Sequence, residues 1–93
     1  MAMFMIRIEL HDATWKQYTQ LAECLARKGI VDVITSDDGI EYKLPPAEYY
    51  YGGDATIDAV IKAAKACADS AAPKNAVLVA LVSNFRWNGL APT

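Results

Sequence analysis

From Met3 to Leu10 the chain alternates. Phe4, Ile6, Ile8 and Leu10 fall on one face, and Met5, Arg7 and Glu9 on the other. Period two over this length predicts a strand with one face in a core. After His11 the period changes to three and four. Trp15, Tyr18, Leu21, Ala22 and Leu25 form one apolar stripe, which predicts an amphipathic helix. Asp12 stands where its N-cap belongs. Arg27 and Lys28 suit the negative end of the helix dipole, and Gly29 is a natural residue just past the C-cap.

The β-branched run Ile30 to Thr35 predicts a second strand. The turn Ser36-Asp37-Asp38-Gly39 then sends the chain back through Ile40 to Leu44, because Asp-Gly is a favoured hairpin corner. Pro45 and Pro46 interrupt pairing, and Ala47 to Tyr51 resumes an extended, aromatic run. Residues 40–51 are expected as one excursion kinked at the prolines, with Gly52-Gly53 releasing the chain from the sheet. Asp54 or Thr56 is placed to cap a second helix, whose buried stripe would be Ile57, Val60, Ile61, Ala64, Cys67, Ala68 and Ala71. Pro73 ends it. Ala76 to Val82 is apolar without interruption, the pattern of a strand buried on both sides. Ser83-Asn84 turns the chain, Phe85-Arg86-Trp87 is expected as a short extra strand, and Leu90 to Thr93 as a tail.

Strand, helix, strand, hairpin return, helix and strand make βαββαβ. The expected fold is therefore α/β (α+β), a single ferredoxin-like domain over residues 1–93 with an antiparallel sheet. Right-handed crossovers place both helices on one face of that sheet. The other face has no helix left to cover it. It carries Met5, Arg7, Glu9 and His11, half of the last strand, and tyrosines of the 49–51 run according to register.

Composition narrows the function classes. The chain has 93 residues, 54% apolar and 22% charged, with a net charge of −2. That is globular and not basic, so any nucleic-acid contact has to come from a local patch. Cys24 and Cys67 lack CxxC spacing and clustered histidines, which argues against zinc. They are expected as free, buried thiols. No cleavable signal pattern follows Met1, no apolar run approaches the ~20 residues of a membrane span, and a cytoplasmic protein is expected. No cofactor is implied.

Candidate chemistry is sparse. His11 and Asp12 stand together at the end of the first strand, where a histidine can serve as general base near neutral pH. Asp37, Asp38 and Glu41 surround one turn without the spacing of a calcium loop, and turn chemistry accounts for the aspartates. Arg27 with Lys28 and Lys62 with Lys65 suit solvated helix faces. Arg7 and Glu9, with Tyr49, Tyr51, Arg86 and Trp87, suit either a stacking platform for single-stranded RNA or an interface for a protein partner or a second copy of the chain.

Four segments resemble a known family: Ile8-Glu9-Leu10-His11-Asp12-Ala13, Ser36-Asp37-Asp38-Gly39, Leu44-Pro45-Pro46-Ala47-Glu48-Tyr49 and Val77-Leu78-Val79. They are similar to short, often prophage-borne bacterial proteins grouped with the GhoS antitoxins of type V toxin–antitoxin systems. The resemblance covers almost the whole chain in element order. It implies a ferredoxin-like fold akin to the small CRISPR-associated nucleases. It also implies an endoribonuclease that cleaves the messenger RNA of a membrane toxin. Those nucleases place an aspartate at the end of the first strand; here His11 occupies that place and Asp12 lies just beyond. Under this reading His11 and Asp12 assist attack on phosphate, and Arg7 and Arg86 position the RNA backbone. The rival expectation is a non-enzymatic phage or prophage module, for example an inhibitor of a bacterial defence complex, binding through its open sheet face.

Overall fold

A computed structural model describes residues 1–93. The elements run β1 (Ala2–Leu10), α1 (Trp15–Arg27), β2 (Val33–Thr35), β3 (Glu41–Lys43), β4 (Glu48–Gly53), α2 (Ile57–Ala71) and β5 (Asn75–Val82). β1 is the centre of a three-stranded sheet ordered β4-β1-β5, and both neighbours run antiparallel to it. β2 and β3 form a separate two-stranded hairpin. Val31, just before β2, bridges to Tyr50 and so ties that hairpin to the β4 edge. This mixed α+β arrangement is consistent with the ferredoxin-like order, except that β2 and β3 pair with each other outside the main sheet.

The alternation of β1 decides the layers. Phe4, Ile6, Ile8 and Leu10 are buried and join one core cluster with Leu21 and Leu25 of α1 and Val60, Ala64, Cys67, Ala68 and Ala71 of α2. The stripes are narrower than the spacing predicts. Trp15 is 74% exposed, and Ile57 and Ile61 are also partly in solvent, at 40% and 37%. Trp15 is the first residue of α1, and a first-turn side chain extends past the sheet before the helix axis crosses the core.

Local chemistry differs from expectation at several places. The N-cap of α1 is Thr14, not Asp12. Its N–H donates to Gln17 Oε1 (2.8 Å), one half of a capping box. Asp12 adopts φ 53° in the turn before it, a left-handed conformation that aspartate tolerates. For α2, Thr56 takes the cap, its hydroxyl accepting from the Ala59 N–H (3.1 Å).

Gly52 and Gly53 do not release the chain. They are the last residues of β4, opposite Met3 and Ala2. A Cβ on Gly52 would lie 2.6 Å from Tyr50 Oη, and one on Gly53 2.6 Å from Tyr51 Oη. The glycines make room for tyrosine rings lying along the strand.

Phe85-Arg86-Trp87 is not a strand. Its aromatic rings pack sideways instead of exposing a ladder. The expected tail is held as well: Lys43 N–H donates to the Ala91 carbonyl (2.9 Å) and Thr93 N–H to the Glu41 carbonyl (3.0 Å).

Cys24 and Cys67 are not free thiols. They form a disulfide with a Cα–Cα separation of 5.6 Å, linking α1 to α2 across 43 residues. Cys67 lies in the buried stripe of α2 and Cys24 at the margin of that of α1, a juxtaposition that sequence spacing does not reveal. No helix is long and apolar enough to cross a membrane.

Candidate functional site

The face of the sheet turned away from the helices carries Met3, Met5, Arg7 and Glu9. The register fixes which tyrosine joins them. Met5 stands opposite Tyr50, and Ile6 opposite Tyr49, so Tyr50 belongs to the open face. Tyr49 and Tyr51 belong to the helix side: Tyr49 is buried in the core, and Tyr51 packs on Phe4 with ring centroids 6.1 Å apart. Neither reaches the open face; the register, which the sequence left open, sends both to the helix side. Arg7 pairs with Glu48 directly across from it (Nη1–Oε1 3.2 Å). On β5, Leu78 stands opposite Arg7 and is 66% exposed. β5 is therefore open on this side, not buried on both.

One end of the open face is roofed. Four aromatic rings run in a chain from the sheet to the hairpin. Tyr50 meets Phe85 at 5.9 Å, Phe85 stacks on Trp87 at 5.8 Å and 27°, and Trp87 meets Tyr42 of β3 at 5.6 Å. Offset and tilted ring pairs of this kind are favourable, and they hold the C-terminal segment over the hairpin. Between them lies a cleft of about 870 Å³. Met3, Val31, Tyr50, Phe85 and Trp87 supply apolar wall; Asp37, Glu41 and Arg86 supply charge. Arg86 is partly committed, its Nη1 donating to Asn84 Oδ1 (2.6 Å) and to the Phe85 carbonyl (2.8 Å). Arg86 and Trp87 both line this cleft. Tyr50 and Tyr42 were missed. Only strand register separates Tyr50 from its neighbours, and a run of three tyrosines does not disclose its own phase.

His11 and Asp12 lie elsewhere. Both are exposed in the turn after β1. The His11 N–H donates to the Lys74 carbonyl (2.9 Å), which brings Lys74 beside the turn, a neighbour that sequence reading did not find. Met3, which lines the cleft, sits at the opposite end of β1, roughly 25 Å away at about 3.3 Å per residue. Arg86 and His11 therefore do not converge on one ligand. Nowhere do three or more His, Cys, Asp or Glu side chains gather as metal ligands would.

Compared with protein-family models, with curated proteins and with solved structures, the chain matches none.

Proposed function

We propose that the chain is a binding module for another protein. Its cleft would take a short apolar segment carrying a basic residue. The observation that supports this reading is the aromatic-walled cleft with Asp37 and Glu41 in its lining. Apolar walls with a few fixed polar groups are the usual make-up of a recognition pocket. Two carboxylates beside a partly committed Arg86 favour a cation over the phosphates of RNA, and the net charge of −2 gives no long-range attraction for nucleic acid.

Selection from a random peptide display library tests this reading. The expected pool is rich in apolar residues around Lys or Arg. Trp87→Ala weakens the selected peptide at least about tenfold, as an aromatic anchor should, while Trp15→Ala leaves it unchanged. A pool without enrichment, or binding indifferent to Trp87→Ala, rejects the reading. So does tighter binding of single-stranded RNA in the same cleft.

A second reading rests on the exposed His11–Asp12 turn and on the resemblance to GhoS-type antitoxins. Here the protein is an endoribonuclease for single-stranded RNA. His11 takes the proton from a ribose 2′-hydroxyl, whose oxygen bonds to the adjacent phosphorus as the bond to the 5′-oxygen breaks. That 5′-oxygen leaves as a hydroxyl protonated by water, giving a 2′,3′-cyclic phosphate. Asp12 orients the imidazole, and Arg7 lies on the same face for the RNA backbone. The expected result is cleavage of unstructured RNA by purified protein, lost in His11→Ala and Asp12→Asn. Thr14 caps the helix, so Asp12→Asn leaves the fold intact. Equal cleavage by all three proteins marks a contaminant and ends this reading.

Both readings assume a cytoplasmic setting, against which the Cys24–Cys67 disulfide stands, because structural disulfides persist in oxidising compartments. Thiol alkylation in intact cells that finds Cys24 and Cys67 oxidised would move the protein out of the cytoplasm.

A further inference from the structure

The chain covers its sheet edges on one side of the molecule and leaves the other side bare. At the β4 edge, Val31 and Tyr50 exchange both backbone bonds (2.9 and 2.7 Å). Beyond it, β3 is met by Ala91 and Thr93 of the C-terminal segment. β5 forms the opposite edge of the β4-β1-β5 sheet, and no strand lies outside it.

The hydrogen-bond phase shows which backbone groups are left unpaired. The His11 N–H donates to the Lys74 carbonyl, so in an antiparallel ladder every second pair from there is also bonded. These are Glu9–Ala76, Arg7–Leu78, Met5–Ala80 and Met3–Val82. The intervening residues of β1 bond to the other neighbour, as the Ile8 N–H does with the Ala47 carbonyl (3.0 Å). On β5 the N–H and C=O groups of Asn75, Val77, Val79 and Leu81 therefore point away from the sheet.

This edge has none of the usual protections. Ala76 to Val82 contains no charge and no proline, the residues that ordinarily blunt an exposed edge. Leu78 on the open face and Leu81 on the helix face are 66% and 60% exposed. Lys65 and Asp69 of α2 both reach Asn75 (2.7 and 2.9 Å). The exposed Ile61, one turn before Lys65, borders the same edge.

We infer that β5 pairs antiparallel with β5 of a second copy, about a two-fold axis at Val79, merging two three-stranded sheets into one. The strand is its own complement in this register. Val77 meets Leu81 of the second copy on the helix side, and Leu78 meets Ala80 on the open side. The outward backbone groups of Val77, Val79 and Leu81 all find partners. A second copy fits better than a charged partner because the strand offers no charge to match. The flanking Lys65 and Asp69 neutralise each other within one chain (2.8 Å). Such a pairing is isologous and closed. It leaves the aromatic cleft free, so it stands or falls independently of the proposed function.

Sedimentation equilibrium of the whole chain, with amide exchange read residue by residue, tests the pairing. The expected result is a reversible dimer that Leu78→Lys and Leu81→Lys each weaken at least about tenfold. The variants keep the wild-type circular dichroism. Exchange at Val77, Val79 and Leu81 slows as concentration rises. A wild type that remains monomeric up to about 1 mM, which leaves less than roughly 4 kcal/mol of association, overturns the proposal. A dimer whose Val77, Val79 and Leu81 amides stay unprotected also overturns it, because the contact would then be face to face.

Discussion

Tyr49 is where a single side chain makes stability depend on pH. Burial raises its pKa above the ordinary tyrosine value, with the Asp32 carboxylate and Tyr18 adding to the effect. The folded state then holds the phenol proton more tightly than the unfolded chain does. Stability from this group is fully present below the unfolded pKa of about 10 and falls as pH rises through the folded value. In Tyr49→Phe the alkaline side of a stability-versus-pH curve is expected to flatten, which urea titrations above pH 9 would measure. Asp69 has the opposite sign. Hydrogen bonds from Asn75 and Lys65 lower its pKa, so its contribution is present at neutral pH and disappears as acid protonates it. Gly29, at φ 77° after α1, is the one position where a sequence-read capping glycine is also required by the backbone.

At the scale of elements, the two helices differ in how much of their predicted stripe they use. Leu25 is fully buried among β1 and α2, whereas Trp15 of the same stripe is mostly in water. Leu25→Ala is expected to cost about 2–5 kcal/mol, and Trp15→Ala less than about 0.5 kcal/mol. Chemical denaturation of the two variants side by side makes the comparison. Equal costs would mean that α1 sits in a different rotation against the sheet. The β2–β3 hairpin belongs to this scale too. Its turn is held by the Ser36 N–H donating to the Ile40 carbonyl and the Gly39 N–H to the Ser36 carbonyl (both 2.9 Å). It stands outside the main sheet and so can form one wall of the cleft.

At the scale of the whole molecule, the Cys24–Cys67 disulfide closes a loop that contains β2, β3 and β4. In the chain-entropy account, a loop of 43 residues restricts the unfolded state by about 4 kcal/mol. Reduction, or the double change Cys24→Ala with Cys67→Ala, is expected to lower the thermal midpoint by ten degrees or more, roughly what such a loss means for a domain of this size. A calorimetric scan with and without reductant reads it directly. An unchanged midpoint would show that the core packing of α1 on α2 already suffices. The C-terminal segment works at the same scale, since Ala91 and Thr93 join β3 while Phe85 and Trp87 roof the open face.

The sequence by itself determined the two helices and the core face of β1, but not that residues 40–51 divide into β3 and β4 in different sheets. It also determined the Asp-Gly hairpin and the buried interior of each helix. Phe4, Ile6, Ile8 and Leu10 announce a strand because period two has one physical cause, a sheet with one face in water and one in a core. Leu21, Leu25, Ala64 and Cys67 likewise follow from the helical period. Arg86 and Trp87 drew notice only as a cation beside an aromatic; the sequence did not disclose the aromatic chain that holds Trp87. Everything that depends on phase or on distant pairing was decided by the tertiary structure. Register alone sends Tyr50 to the open face and Tyr49 to the core, because a shift of one residue exchanges the two sides of a strand. Its place at the very start of α1 leaves Trp15 outside although it shares the phase of Leu21 and Leu25. The disulfide, the neighbourhood of Lys74 and His11, and the aromatic chain from Tyr50 to Tyr42 join residues far apart in sequence. Local patterns state what each segment buries, and only the assembled fold states against what.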